Sequence, residues 1–223
     1  MDNKKDESVV QFKDFIESGR KILKSNKAKY NKVTINNTEM YIMLFTSGTT
    51  SEPKAVMLSQ NNICSNISAI SKHVKLYKTD TLLSFLPIHH TFECTITFLY
   101  GTYSGATIAF CEGLRHIADN LKEFKVSVFV AVPLVLETMY KKIQKGIADS
   151  GKEKLINTMK KVSEVLLKCH IDARKVLFKP VLKQFDEYLR VVLYGAAPMN
   201  KETIEGYNAL GIELVQGYGL TET

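Results

Sequence analysis

The residues best suited to chemistry sit in one short stretch, Thr46-Ser47-Gly48-Thr49-Thr50-Ser51-Glu52-Pro53-Lys54. Hydroxyl side chains donate hydrogen bonds. Glycine lets backbone N–H groups converge, and a lysine supplies positive charge, so the combination suits an anion such as a phosphate chain. It is not the P-loop of nucleotide triphosphatases, because G-x-x-x-x-G-K-[ST] is absent and no helix begins at the lysine. Three later segments carry chemistry-bearing residues. Leu86 to Glu93 reads LPIHHTFE, Tyr194 to Met199 reads YGAAPM, and Gly217 to Thr223 reads GYGLTET. His89 and His90 are adjacent, which on an extended segment sends them to opposite faces, and no third ligand stands at a suitable spacing, so a metal pair is not expected. The G-x-G of GYGLTET lacks the third glycine and the following helix of a dinucleotide fingerprint.

Those segments need elements to position them. Met40 to Phe45 (MYIMLF) reads as a buried strand ahead of the hydroxyl-rich turn, with a short strand, AVML, after it. Ser59 is a good N-cap for a helix whose apolar face is Ile63, Ile67, Ile70 and Val74. Apolar strands then alternate with amphipathic helices: TLLSFLP, ATIAF, VSVFVAV, LRVVLYG and IELVQ are the strands, and Pro133 opens a helix at a first-turn position that tolerates it. Between Lys141 and Arg190 the spacing of Leu155, Met159, Val162 and Leu166 predicts a helix burying those four. Strands apolar on both faces, interleaved with helices, indicate an α/β fold with a largely parallel sheet and flanking helices. Glu93 opens a helix, where a carboxylate favours the helix dipole, and is read as structural.

The stretch FTSGTTSEPKAVMLSQNNI closely resembles the phosphate-binding signature of the adenylate-forming superfamily, which includes acyl-CoA synthetases, luciferases and peptide-synthetase adenylation domains. LPIHHTFE, YGAAPM and GYGLTET follow in that family's order, and their combination is most similar to long-chain fatty-acid–CoA ligases of bacterial type. The resemblance covers roughly residues 39–223 and implies part of the large N-terminal domain of an acyl-adenylating enzyme, with residues 1–38 an N-terminal helix and linker. It further implies that an upstream subdomain and a mobile C-terminal domain lie outside this chain, which by itself would then be inactive.

By the same resemblance, the substrates are ATP, a fatty acid and coenzyme A, with Mg²⁺ as cofactor. Thr46, Ser47, Gly48, Thr49, Thr50 and Lys54 would hold the terminal phosphates. Thr221 would bond the α-phosphate and Glu222 would hold the metal, these two being the catalytic pair. Gly195, Ala196, Ala197 and Pro198 would line adenine, with Gly217, Tyr218 and Gly219 shaping and stacking on the base. His90 would stand near the acyl carboxylate, and the acyl pocket would be walled by residues 90–113 and 194–219. Gly101, Gly105 and Ala106 in that wall suit either a deep pocket or tight packing. Two positions depart from the family pattern, Ser51 and Ala55 standing where glycine is usual, which restricts the loop without removing a donor.

Composition bounds the alternatives. With 223 residues, 45% hydrophobic and 24% charged, the chain is an ordinary globular one, and no apolar run approaches the length of a membrane span. Its charged N-terminus lacks a secretory h-region, so a cytoplasmic setting is expected. Net charge is +7, and Lys141 to Arg190 alone holds 13 Lys+Arg against 6 Asp+Glu. That stretch lacks aromatic interleaving of the kind single-strand binding uses, which argues against nucleic acid and leaves peripheral membrane contact open as a partner. Cys64, Cys94, Cys111 and Cys169 form no C-x-x-C pair and read as reduced, mostly buried thiols. Besides fatty-acid activation, two readings stay open: adenylation of an aryl or amino acid, and a non-catalytic module binding nucleotide or a membrane surface.

Overall fold

The structure is a computed structural model that describes residues 10–25, 32–46, 53–185 and 187–222. The chain divides into two compact units, Met1–Glu39 and Met40–Thr223. The first holds helix α1 (Phe12–Ser25), which buries none of its side chains within that unit.

The second unit opens with an antiparallel hairpin of β1 (Met40–Thr46) and β2 (Lys54–Ser59), a two-stranded sheet of its own. MYIMLF is therefore not a buried strand: Met40, Tyr41, Met43 and Phe45 are exposed and only the alternate positions are half-buried. Ser59 caps α2 (Gln60–His73) as expected, accepting from Asn62 N–H while the Asn62 side chain accepts from Ser59 N–H. This reciprocal pairing satisfies two backbone donors that a helix start otherwise leaves open.

The main sheet comprises β3 (Thr81–Ser84), β4 (Thr107–Phe110), β5 (Val128–Ala131), β6 (Val191–Tyr194) and β7 (Glu213–Gln216) in the order β4-β3-β5-β6-β7, every pair parallel. Period-two alternation sends Phe129, Val192 and Tyr194 to one face and Val128, Val130, Val191 and Leu193 to the other. A π-helical segment, Glu93–Tyr100, runs into α3 (Gly101–Ser104) and covers the second face with Val74 and Leu76. The first face is covered by α4 (Ile117–Glu123), α5 (Pro133–Asp149), α8 (Lys179–Phe185) and α9 (Lys201–Ala209). Pro133 stands in the first turn of α5. Because all five strands run the same way, their C-terminal ends form one edge, where ligands of open α/β sheets bind.

Two expectations need correction. On α6 (Glu153–Lys168) the buried row is Ile156 and Ser163, with Met159 and Leu166 half-buried, whereas Leu155 and Val162 face solvent. The apolar arc of that helix is wider than the strip its neighbour α5 covers, so spacing alone could not say which half would be covered. Nor are the thiols mostly buried: Cys64 and Cys169 are exposed, Cys94 and Cys111 intermediate, and all four are free.

Candidate active site

At the tip of the hairpin, Thr46 and Lys54 face each other in register, which sets them at the two ends of the hydroxyl-rich loop. Ser47, Gly48, Thr49 and Thr50 lie outside the described residues. The other sequence-nominated segments lie on the C-terminal edge of the parallel sheet. Gly195, Ala196, Ala197 and Pro198 follow β6, and Gly217, Tyr218, Gly219, Thr221 and Glu222 follow β7.

These two loops are stitched together. Gly217 N–H donates to the Tyr194 carbonyl at 2.8 Å. A Cβ on Gly195 would stand 3.0 Å from the Gly217 carbonyl oxygen and 3.2 Å from the Phe92 ring, and one on Gly217 would stand 3.6 Å from the same ring. At Gly195 a side chain would have to push the Gly217 carbonyl or the Phe92 ring aside, whereas at Gly217 the same ring would be in ordinary contact. Next to them Ala196 adopts φ +70°, a left-handed conformation costly for a residue with a Cβ. Ala196, Ala197 and Pro198 are exposed, Tyr218 is 94% exposed, Thr221 is half-buried and Glu222 is exposed. Asn200 then caps α9 by accepting from Glu202 N–H at 2.8 Å, and its own N–H donates to Glu137 of α5 at 3.0 Å.

His90 belongs to the third segment. His89 and His90 are not on opposite faces of an extended stretch. His90 N–H donates to the Pro87 carbonyl at 2.9 Å, closing a turn that lays the two exposed rings side by side, centroids 4.8 Å apart. Two residues on, Phe92 is the ring that a Cβ on Gly195 or Gly217 would meet.

Glu93 opens its helical segment as expected, but its side chain is fully buried, which the sequence reading did not foresee. Ser84 at the end of β3 donates its hydroxyl to Oε1 at 2.6 Å, and Thr97 donates to Oε2 at 2.9 Å. Burial raises its carboxyl above the usual range, with bonds from Ser84, Thr97 and the Phe85 N–H only partly opposing this. A signal was available: Ile96 and Tyr100 share its helical stretch and are buried with it. Of the three small residues, Gly101 sits where a Cβ would touch Ile108 and Leu82 at 3.4 to 3.6 Å, which is close packing of helix on sheet.

Among the described residues no cluster of three or more His, Cys, Asp or Glu could enclose a metal. Glu222 is a lone exposed carboxylate, which fits Mg²⁺ of the kind held by one carboxylate together with substrate phosphates. No helix among the described residues is long and apolar enough to cross a membrane.

Comparison with known proteins shows the family and the fold. The family described as "AMP-binding enzyme" matches residues 2–223. Long chain acyl-CoA synthetase 3 of Arabidopsis thaliana is 31% identical over 202 residues, 83% of this chain and 30% of the relative. Long-chain-fatty-acid–CoA ligase 1 of Homo sapiens is 32% identical over 195 residues, 82% of this chain and 28% of the relative. The chain thus spans about a third of the length of the curated relatives it matches. Among solved structures, the inhibitor-bound N-terminal domain of FACL13 from Mycobacterium tuberculosis superposes with a TM-score of 0.62 at 24% identity, covering 92% of this chain and 43% of that one. At that identity the likeness shows the fold.

Proposed function

The chain belongs to the AMP-binding enzyme family, and on that premise we propose that it is the nucleotide-binding part of an ATP-dependent fatty-acid-activating ligase. The observation that carries the reading is the meeting of three segments distant in sequence. The Phe92 ring, two residues after His90, lies 3.2 and 3.6 Å from where a Cβ on Gly195 and one on Gly217 would stand, and the loops of those glycines are joined by the bond from Gly217 N–H to the Tyr194 carbonyl. A purine and its α-phosphate would lie over these loops at the strand ends.

In the reaction a carboxylate oxygen attacks the α-phosphorus of ATP, the bond to the bridging oxygen breaks, and pyrophosphate leaves. The sulfur of coenzyme A then attacks the acyl carbon and AMP departs. Two anions must meet in the first step, so the protein's task is positioning and charge neutralisation. Thr46, Ser47, Gly48, Thr49, Thr50 and Lys54 would hold the β- and γ-phosphates, and the Thr221 hydroxyl would donate to the α-phosphate. Gly195 to Pro198 would flank the adenine, with Gly217 and Gly219 shaping its slot and the free Tyr218 ring available to stack on it. His90 would stand where the acyl carboxylate enters. Glu222 would hold Mg²⁺, which when bound supplies positive charge to the phosphates.

Pyrophosphate release from ATP tests this, measured with the 223-residue chain and with a longer protein containing it, against long-chain, aryl and amino acids. Release by the longer protein with long-chain acids only, lost in Thr221→Ala, is expected. Release with aryl or amino acids instead would keep the chemistry and overturn the substrate.

A further inference from the structure

At the same edge of the sheet, beyond the loops that follow β6 and β7, a groove of about 380 Å³ lies between the turn Leu114–His116 and α4 on one side and α5 on the other, with Val181 of α8 between them. That volume is in the range of small-molecule sites. It lies outside the segments 90–113 and 194–219 that wall the acyl pocket in the reading above.

Its walls are apolar and its charges are of one sign. Leu114 and Ile117 face Leu134, Val135 and Met139, and the polar side chains that could bear charge are Arg115 and Lys142. Both cations are exposed, and among the described residues neither belongs to an ion pair. Leu114 and Leu134 are 72% and 73% exposed, so the rim shows water two large apolar side chains with little of their surface covered. The sequence builds this directly. Leu114 and Arg115 come after β4 and Leu134 after β5, parallel strands, so all three sit at the same edge of the sheet. Leu134, Thr138 and Lys142 then repeat every four residues, which carries one face of α5 about 12 Å along the trough to its second cation. Ala118, on α4, leaves room where a larger side chain would fill the space.

We propose that this groove binds a single-chain anionic amphiphile, its hydrocarbon tail along the apolar trough and its head on Arg115 or Lys142. A neutral hydrocarbon would leave both cations unused, and an inorganic anion would leave the trough open. A carboxylate or phosphate on a chain uses both. The same chemistry could come from a free fatty acid or from a lysolipid phosphate.

The chain contains no tryptophan, so Leu134→Trp at the rim is a silent-background reporter. Titrating that variant of the whole chain with dodecanoate, dodecyl phosphate and dodecanol should give a saturable blue shift with the two anions. The stronger of the two names the source. Arg115→Glu with Lys142→Glu should weaken the anions about tenfold and leave dodecanol unchanged, as loss of charge-assisted bonds does. Ala118→Phe, or Thr138→Phe from the opposite wall, should abolish the shift for all three. The proposal is overturned by no saturable shift, by equal affinity for dodecanoate and dodecanol, or by binding that survives both filling variants. Displacement of dodecanoate by ATP, which carries no hydrocarbon chain, would overturn it too, because the amphiphile would then occupy the nucleotide site. Binding of ATP, followed by calorimetry, fails independently: its absence counts against the proposed ligase function and leaves the groove standing.

Discussion

The two edges of the parallel sheet are built on opposite principles. At the N-terminal edge, Asp80, Ser127 and Arg190 each directly precede a strand, and their polar atoms are spent on one another. Arg190 grips Asp80 through two bonds, Nε to Oδ1 at 2.9 Å and Nη2 to Oδ2 at 2.6 Å, and Nη2 also donates to the Lys75 carbonyl. Ser127 Oγ donates to Oδ1 at 2.7 Å, Tyr77 N–H donates to Oδ2 at 2.7 Å, and the Tyr77 ring lies 5.2 Å from the guanidinium. At the C-terminal edge Tyr218 and Glu222 stand in solvent, His90 is exposed and Ala196 holds a left-handed backbone. One edge has closed its hydrogen-bond ledger and the other keeps donors, charge and strain in reserve. The difference separates what holds the sheet from what can act on a ligand.

The largest effect should come from opening the closed edge. Asp80→Ala strands the Arg190 charge in a mostly covered site, and about 3 kcal/mol of stability should go, the lower end of what an orphaned buried charge costs. Urea denaturation followed by circular dichroism measures it, and a loss below about 1 kcal/mol would mean that the edge is not a latch. The sign of the pH effect follows as well. Burial pushes the Asp80 carboxyl up, but Arg190, Ser127 and the Tyr77 N–H outweigh it and hold it below its ordinary range. Stability from this group is therefore present above the unfolded carboxylate value and drains as pH falls through the lower folded one. Asp80→Asn should flatten that acid limb.

At the open edge, Gly195→Ala should cost less stability and more function. Its new Cβ would press on the Gly217 carbonyl oxygen and the Phe92 ring, and the backbone oxygen cannot swing away as a side chain would. Overpacking of this kind costs about 1–3 kcal/mol, and the separated loops should lose binding of an acyl-adenylate analogue. Calorimetry on the folded variant that finds full affinity would detach these loops from the nucleotide.

Much of this division was readable in advance. Val126 to Val132 is apolar at every position but Ser127 and became the central strand, and Ser59 and Pro133 fixed two helix starts. The latch was not readable, because Asp80 and Arg190 are 110 residues apart and nothing local distinguishes them from solvated charges. The depth of Glu93 escaped for a different reason. A carboxylate at a helix start is normally exposed, and its burial depends on how the chain turns back after β3 to set it against Ser84, nine residues earlier. The outward turn of Leu155 and Val162 escaped because periodicity gives an apolar arc and not the partner that covers it.

Glu93 gives the opposite pH effect. Its carboxyl is raised, so the folded state prefers it protonated, and the stability it contributes is present below the unfolded value and lost as pH rises through the folded one. Acid should thus weaken the closed edge and relieve the open one. Glu93→Gln keeps an acceptor for Ser84 or Thr97 without the charge, and should gain about 1 kcal/mol at neutral pH while leaving the acid limb set by Asp80 in place. Thermal melts of the two single variants and the double variant across pH 3 to 8 separate them, and a stability loss in Glu93→Gln at neutral pH would show that the ionised form is the one the site is built around.

The smallest change is the most diagnostic of reserve strain. Ala196 at φ +70° costs the fold about 1–2 kcal/mol, which glycine would return, and glycine in turn adds about 0.4–1 kcal/mol of unfolded-chain freedom. Ala196→Gly should therefore melt at the same temperature or slightly higher, a net gain within about 1 kcal/mol. Affinity for the adenylate analogue should move the other way, because a residue with no Cβ samples conformations in which the Gly195 to Pro198 turn no longer presents one surface to the base. A melting temperature that falls by several degrees would place no strain at this edge. Unchanged affinity would mean that the left-handed turn is a by-product of joining β6 to α9. Only the paired outcome, steadier fold and weaker binding, fits an edge that keeps its backbone strained so that a ligand finds it already in shape.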